Sequence, residues 1–181
     1  MHENSSVLEP TGSRSHLAGA GSSADGTRVV QRPQIPDEVL AMCAFDHPDY
    51  GDLFTAATPA AEHFSPEQWA RAGVSDAAGA AGQFVWRVIL GLRLAPVSSP
   101  DHIGGWQIAD GDATWTSLVA SSWCLTANIV IAVAPEEVSA ATFIRYDKPP
   151  AAFLWPVVAA GHRSAMPRLL HAAVRRLARD Q

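Results

Sequence analysis

Lysine is nearly missing from this chain. Of 13 basic residues only Lys148 is lysine, and the net charge over 181 residues is −5. Nucleic-acid binding rests on basic side chains that neutralise phosphates, so that class of partner is set aside; the arginines gather only near the C-terminus. Cysteine is almost as scarce. Cys43 and Cys124 stand alone, without a CxxC or Cys/His spacing, which argues against a disulfide framework or a zinc site and fits free thiols in a reducing cytoplasm. Long apolar runs are also lacking. The longest, Ala151 to Gly161, covers only about 16 Å as a helix at ~1.5 Å per residue, too little for transmembrane insertion. No apolar core of signal-peptide length follows a positive start, so a cytoplasmic location is expected. There is no phosphate loop, zinc spacing or nucleophile elbow, so the residues imply no cofactor, no metal and no particular catalytic reaction.

What is present is enough apolar sequence, 48% of residues, for one well-buried domain. Residues 1–40, rich at their start in Ser, Gly and scattered charge, are expected to be a disordered tail, and deleting residues 1 to about 35 is expected to leave stability nearly unchanged; residues 41–181 are expected to form the domain. Leu53 to Ala57 read as a first short strand. "SPEQWARAG" begins a helix, with Ser65 as N-cap, Pro66 in the first turn, Gln68 completing a capping box and Gly73 ending it. In "AAGAAGQFVWRVILGLRLAP" the spacing of Phe84, Val88 and Leu92, with Val85 and Ile89 beside them, predicts a second helix with one apolar face.

After Pro100 the rhythm changes to strands. An Asp110-Gly111-Asp112 turn joins "HIGGWQI" to "ATWTSLVASSW". Next come "CLTANIVIAVAPEE", with Leu125, Ala127, Ile129, Ile131 and Val133 on one face, and "SAATFIRYD", with Phe143 and Arg145 opposite Thr142, Ile144 and Tyr146. Four strands joined by short turns predict an antiparallel meander. The closing run predicts one amphipathic helix, with Ala152, Trp155, Ala159, His162, Met166, Leu169, Leu170, Ala173 and Leu177 in a stripe and Pro156 and Pro167 bending it. The fold class is therefore α+β, a curved antiparallel sheet packed against a long C-terminal helix.

This order is similar to the helix-grip fold of the SRPBCC, or START-like, superfamily. "LGLRLAP", "SPDHIGGWQI", "ATFIRYDKP" and "HRSAMPRLL" further resemble a bacterial family of uncharacterised domains within it, over roughly residues 50–178. The resemblance implies a cavity between sheet and C-terminal helix that takes a small apolar molecule of lipid or polyketide type. It also implies an alternative, since some members are cyclase- or dehydratase-like enzymes. An interaction module for a protein or membrane surface is a third reading, and Phe153, Leu154 and Val157 discriminate it: exposed together they favour an interface, buried they favour cavity or core.

Five residues are candidates for binding a ligand. Trp155 is either core filler or a cavity wall, with Ala159 leaving room beside it. His162, two turns on, is either a satisfied core histidine or a group that meets a ligand oxygen or moves a proton. Arg145 is either a solvated edge charge or an inward anchor for a carboxylate or carbonyl. Trp123 stands with Trp106 and Trp115 among the meander aromatics. The Asp101-His102 pair lacks a third ligand for a metal or a triad, and "FDHPDYGD" reads as an acidic turn.

Overall fold

The computed structural model describes residues 27–96 and 99–180. Strand β1 (Val29–Arg32) and a short helix α1 (Asp37–Ala41) precede β2 (Tyr50–Ala57). Helix α2 (Pro66–Ala70) runs on into a wide-turned π-helical stretch, Arg71–Ala77. Helix α3 (Gly79–Phe84) does the same through Val85–Ile89. Strands β3 (His102–Ile103), β4 (Trp106–Gly111), β5 (Trp115–Ser121), β6 (Leu125–Ala134) and β7 (Glu137–Tyr146) follow, and α4 (Ala151–Leu177) closes the chain. The fold is α+β: a seven-stranded, curved antiparallel sheet in the order β1-β2-β7-β6-β5-β4-β3 with one long C-terminal helix.

The expected capping box is present. Gln68 N–H donates to Ser65 Oγ at 3.3 Å, and Ser65 N–H donates to Gln68 Oε1 at 2.8 Å. Gly73 does not end the helix as expected. The chain widens instead, with Ala78 N–H reaching the Gly73 carbonyl five residues back at 3.1 Å. Gly79, at φ +50°, makes the break that Gly73 was expected to make, because a left-handed residue interrupts the helical ladder. The second helix also departs from expectation. Phe84 and Val88 are exposed, while Val85 and Trp86 line the inner space and Ile89 stands exposed at its edge, since a π-helical turn rotates the side chains away from a 3.6-residue phase.

The sheet is covered on both faces. The helices cover one, where β6 presents Ala127, Ile129 and Ile131 and β7 presents Val138, Ala140, Thr142 and Ile144. The other carries a second core of Val39, Phe45, Leu53, Val130, Ala141 and Phe143. Buried Asn128 fastens that layer: its Oδ1 accepts from Ala44 N–H at 3.0 Å, and its Nδ2 donates to Ser117 Oγ at 2.7 Å and to the Leu118 carbonyl at 2.9 Å.

Regular structure therefore reaches further toward the N-terminus than the expected boundary at residue 41. Strand β1 pairs with β2, and Val39 buries against the sheet's outer face. Residues 1–26, the rest of the expected tail, lie outside the described residues. Helix α4 runs unbroken through Pro156 and Pro167, each of which lacks the N–H that would meet the carbonyl four residues back. Among the described residues, no helix is long and apolar enough to cross a membrane.

A chain beginning at Pro33 loses β1 and with it the bonds from Arg32 to Thr55 Oγ1 at 3.1 Å and to Glu137 at 2.9 Å. Its urea midpoint should fall below that of a chain beginning at Thr27. Equal midpoints would show that the strand adds no stability.

Candidate functional site

Between the helices and the inner sheet face lies a cavity of about 570 Å³. Its floor is the apolar face of β6 and β7, where Ala127 and Ala140 are too small to fill the space above them. Both π-helical stretches line it, through Gly73, Val74 and Ala77 and through Val85, Trp86 and Ile89. Helix α4 closes the remaining side with Trp155, Val158, Gly161, His162, Ala165 and Met166. Solvent-exposed lining residues, Ala81 and Ile89 on one side and Val157 and Gly161 on the other, mark its mouth.

A polar cluster interrupts this apolar wall. On β2, Tyr50, Asp52 and Phe54 point toward the helices because a strand alternates its side chains. Asp52 is buried, and its Oδ2 lies 3.1 Å from His162 Nε2 on α4. The Tyr50 hydroxyl donates to the same oxygen at 2.6 Å, and Arg163 Nη1 donates to the Tyr50 oxygen at 3.3 Å. Burial, followed by the bond to Asp52, pushes the Tyr50 hydroxyl up to about 12. Trp155 packs edge-on to Tyr50 with ring centroids 5.1 Å apart and lies 5.6 Å from the His162 ring.

Three cavity-lining residues carry side-chain polar atoms with no hydrogen bond among the described residues: Trp106 Nε1, Thr142 Oγ1 and Trp155 Nε1. Thr142 stands directly opposite Asp52 in the β2–β7 register. Among the described residues, no three His, Cys, Asp or Glu side chains converge as metal ligands would.

Of the five residues expected to meet a ligand, the structure brings Trp155 and His162 to the cavity and leaves three away from it. Arg145 lies on the outer sheet face, since Thr142 and Ile144 beside it take the inner one. It pairs with Asp147 at 2.8 Å and its guanidinium sits 5.0 Å over the Phe45 ring. Trp123 belongs to the turn between β5 and β6, not to a strand face, and is 54% exposed. Ser122 holds that turn by accepting from the backbone of Cys124 and Leu125.

Ala159 is buried in solid core and does not border the cavity. The helix carries two adjoining stripes rather than one. Ala151, Ala159 and Val174 pack away from the cavity, while Val158, Gly161, His162 and Ala165 line it and buried Trp155 and Leu170 stand at the boundary; Ala152 of the expected stripe is exposed. Phe153 and Val157, which discriminate the interface reading, are each 79% exposed, and Leu154 is partly buried.

The sequence reading missed Asp52, Tyr50 and Thr142. The period-2 pattern of "YGDLFTAA" carries the signal, because it places Asp52 in phase with Phe54 and Ala56, an acid on the face that must be buried.

Tyr50 holds its proton more tightly folded than unfolded, so its contribution to stability is fully present below about pH 10 and is lost as pH rises toward 12. Urea midpoints between these values should decline more gently in Tyr50→Phe than in the parent; parallel declines would separate Tyr50 from the alkaline transition. Compared with known proteins, the chain matches no protein-family model, no curated protein and no solved structure.

Proposed function

We propose that this protein is a helix-grip, START-like domain of the cytoplasm that binds or sequesters a small apolar molecule, lipid- or polyketide-like, between its sheet and α4. The observation that carries this reading is the cavity of about 570 Å³ with its nearly all-apolar wall, a size usual for small-molecule sites. Protein interiors rarely keep voids larger than a water molecule. The cavity opens to solvent at its mouth, so a guest can enter without the domain unfolding. Apolar walls also hold water poorly, which favours an apolar occupant. The unbonded polar atoms of Trp106, Thr142 and Trp155 support an occupant that carries an oxygen.

Gly161 offers the test. A Cβ built there meets no atom of the described residues within 4 Å, and the residue lies inside α4 at the cavity mouth. Gly161→Leu should therefore block the cavity while the gain in helix propensity holds stability level or raises it by roughly 0.5–1 kcal/mol. The expected pair of results is lost binding of the fluorescent probe phenylnaphthylamine and an unchanged or higher urea midpoint. Unaltered probe binding by the variant, or none by the parent, would overturn the reading.

A second reading, an interaction surface, is favoured by Phe153 and Val157 on α4 and by Phe84 and Val88 beside the cavity-lining turn of α3, all more than half exposed. On this reading the apolar rim meets a membrane or protein surface. Phe153→Ser with Phe84→Ser, two exposed residues outside the cavity lining, should abolish sedimentation with vesicles or retention on a partner while leaving probe uptake in solution intact.

A further inference from the structure

His162 and Asp52 are 110 positions apart in sequence, yet Nε2 lies 3.1 Å from Oδ2 and 3.3 Å from Oδ1. The carboxylate side chain is 3% exposed and the imidazole 17%. A carboxylate only accepts hydrogen bonds, so the ring nitrogen facing it carries the hydrogen, and in the neutral ring the lone pair is left on Nδ1. No described residue bonds Nδ1, and His162 is part of the cavity wall. Around the pair stand the Tyr50 hydroxyl on Asp52, the Arg163 guanidinium on Tyr50, the Trp155 ring, and Thr142 across from Asp52. Asp52 sets the tautomer, and the basic nitrogen is left without a bond to any described residue on a side chain that lines the cavity.

We propose that His162 is a general base in this cavity, taking a proton at Nδ1 from a weakly acidic C–H or O–H of an apolar bound molecule, with Asp52 as the positioning residue that fixes the ring. The proposal rests on the cavity being a ligand site. The substrates it fits are apolar carbonyl compounds with a hydrogen on the adjacent carbon, or phenols and enols. The C–H or O–H bond breaks, its proton passes to Nδ1, and its electron pair stays on the substrate as an enolate or phenolate. The imidazolium so formed is stabilised by the Asp52 carboxylate and returns the proton to the same molecule at another position. Atoms and electrons balance without an oxidant or reductant. The apolar wall favours the transfer by excluding competing water.

The full chain can be tested with nitrobenzisoxazole, an apolar bicycle in which removal of the ring C–H proton forms a nitrile as the N–O bond breaks, releasing a coloured cyanonitrophenolate. The expected result is turnover about 100-fold above an equal concentration of free imidazole, lost in His162→Gln. Asp52→Asn should lower kcat on the order of tenfold or more with KM unchanged, a split that a purely structural role would not produce. His162→Ala, which keeps a helix-forming residue, should regain turnover when imidazole is added.

Phenylnaphthylamine binding by the parent separates the two ways of failing. Binding without turnover above imidazole, or full turnover by His162→Gln, overturns the base and leaves the cavity reading standing. No binding overturns both.

Discussion

The architecture depends on a mismatch of side-chain volume at the middle of the molecule. Where the sheet and helices face each other, the sheet contributes Ala127 and Ala140 and the helices contribute Gly73, Ala77, Ala81, Gly161 and Ala165. Trp69, Trp86, Trp106 and Trp155 stand around the same space and set how closely the layers approach. Trp69 is anchored by its indole N–H on the Ala61 carbonyl at 3.0 Å, and Trp86 packs edge-on to Trp106 at 5.5 Å. Large rings hold the layers apart while small residues decline to fill the gap, so the cavity follows from composition rather than from a missing element.

A buried acid is costly without partners, and this fold supplies them from one strand and one helix. Asp52 draws Tyr50 from its own strand and His162 from α4, so satisfying the carboxylate also fixes where α4 crosses β2. Structural need and chemical opportunity coincide there. The contact that docks the helix also leaves one imidazole nitrogen uncommitted in an apolar wall.

Much of this was legible beforehand. The alternation in "CLTANIVIAVAPEE" and "SAATFIRYD" gave both sheet faces correctly, because a period of two survives any change in packing. Ser65 and Gln68 marked a helix start through purely local bonds. Strand phase, the same period of two, turns Arg145 outward as an edge charge, the first of its two expected roles, and Phe45 and Asp147 only explain where it rests. The failures share a cause, which is dependence on distant partners. Ala159 and Gly161 differ by two positions on one helix, yet one meets core and the other open space, a distinction set by what lies opposite. Asp52 looked like part of an acidic turn until β2 was seen to carry it beneath α4. The layer made by Val39 and Phe45 was hidden by the polar sequence ahead of it.

The cavity also has two mechanically unlike halves. Its floor is a continuous ladder, β6 and β7 paired from Leu125 with Tyr146 to Ala134 with Glu137, which resists bending because each strand is clamped on both sides. Its opposite side is built on two stretches whose backbone hydrogen bonds span five residues instead of four, a wide-turned geometry that is rare. The helical side is therefore the one that yields to a load, while the sheet keeps its curvature. The two walls are elastically unlike, so the width of the chamber is set by how far the soft side moves against a rigid one.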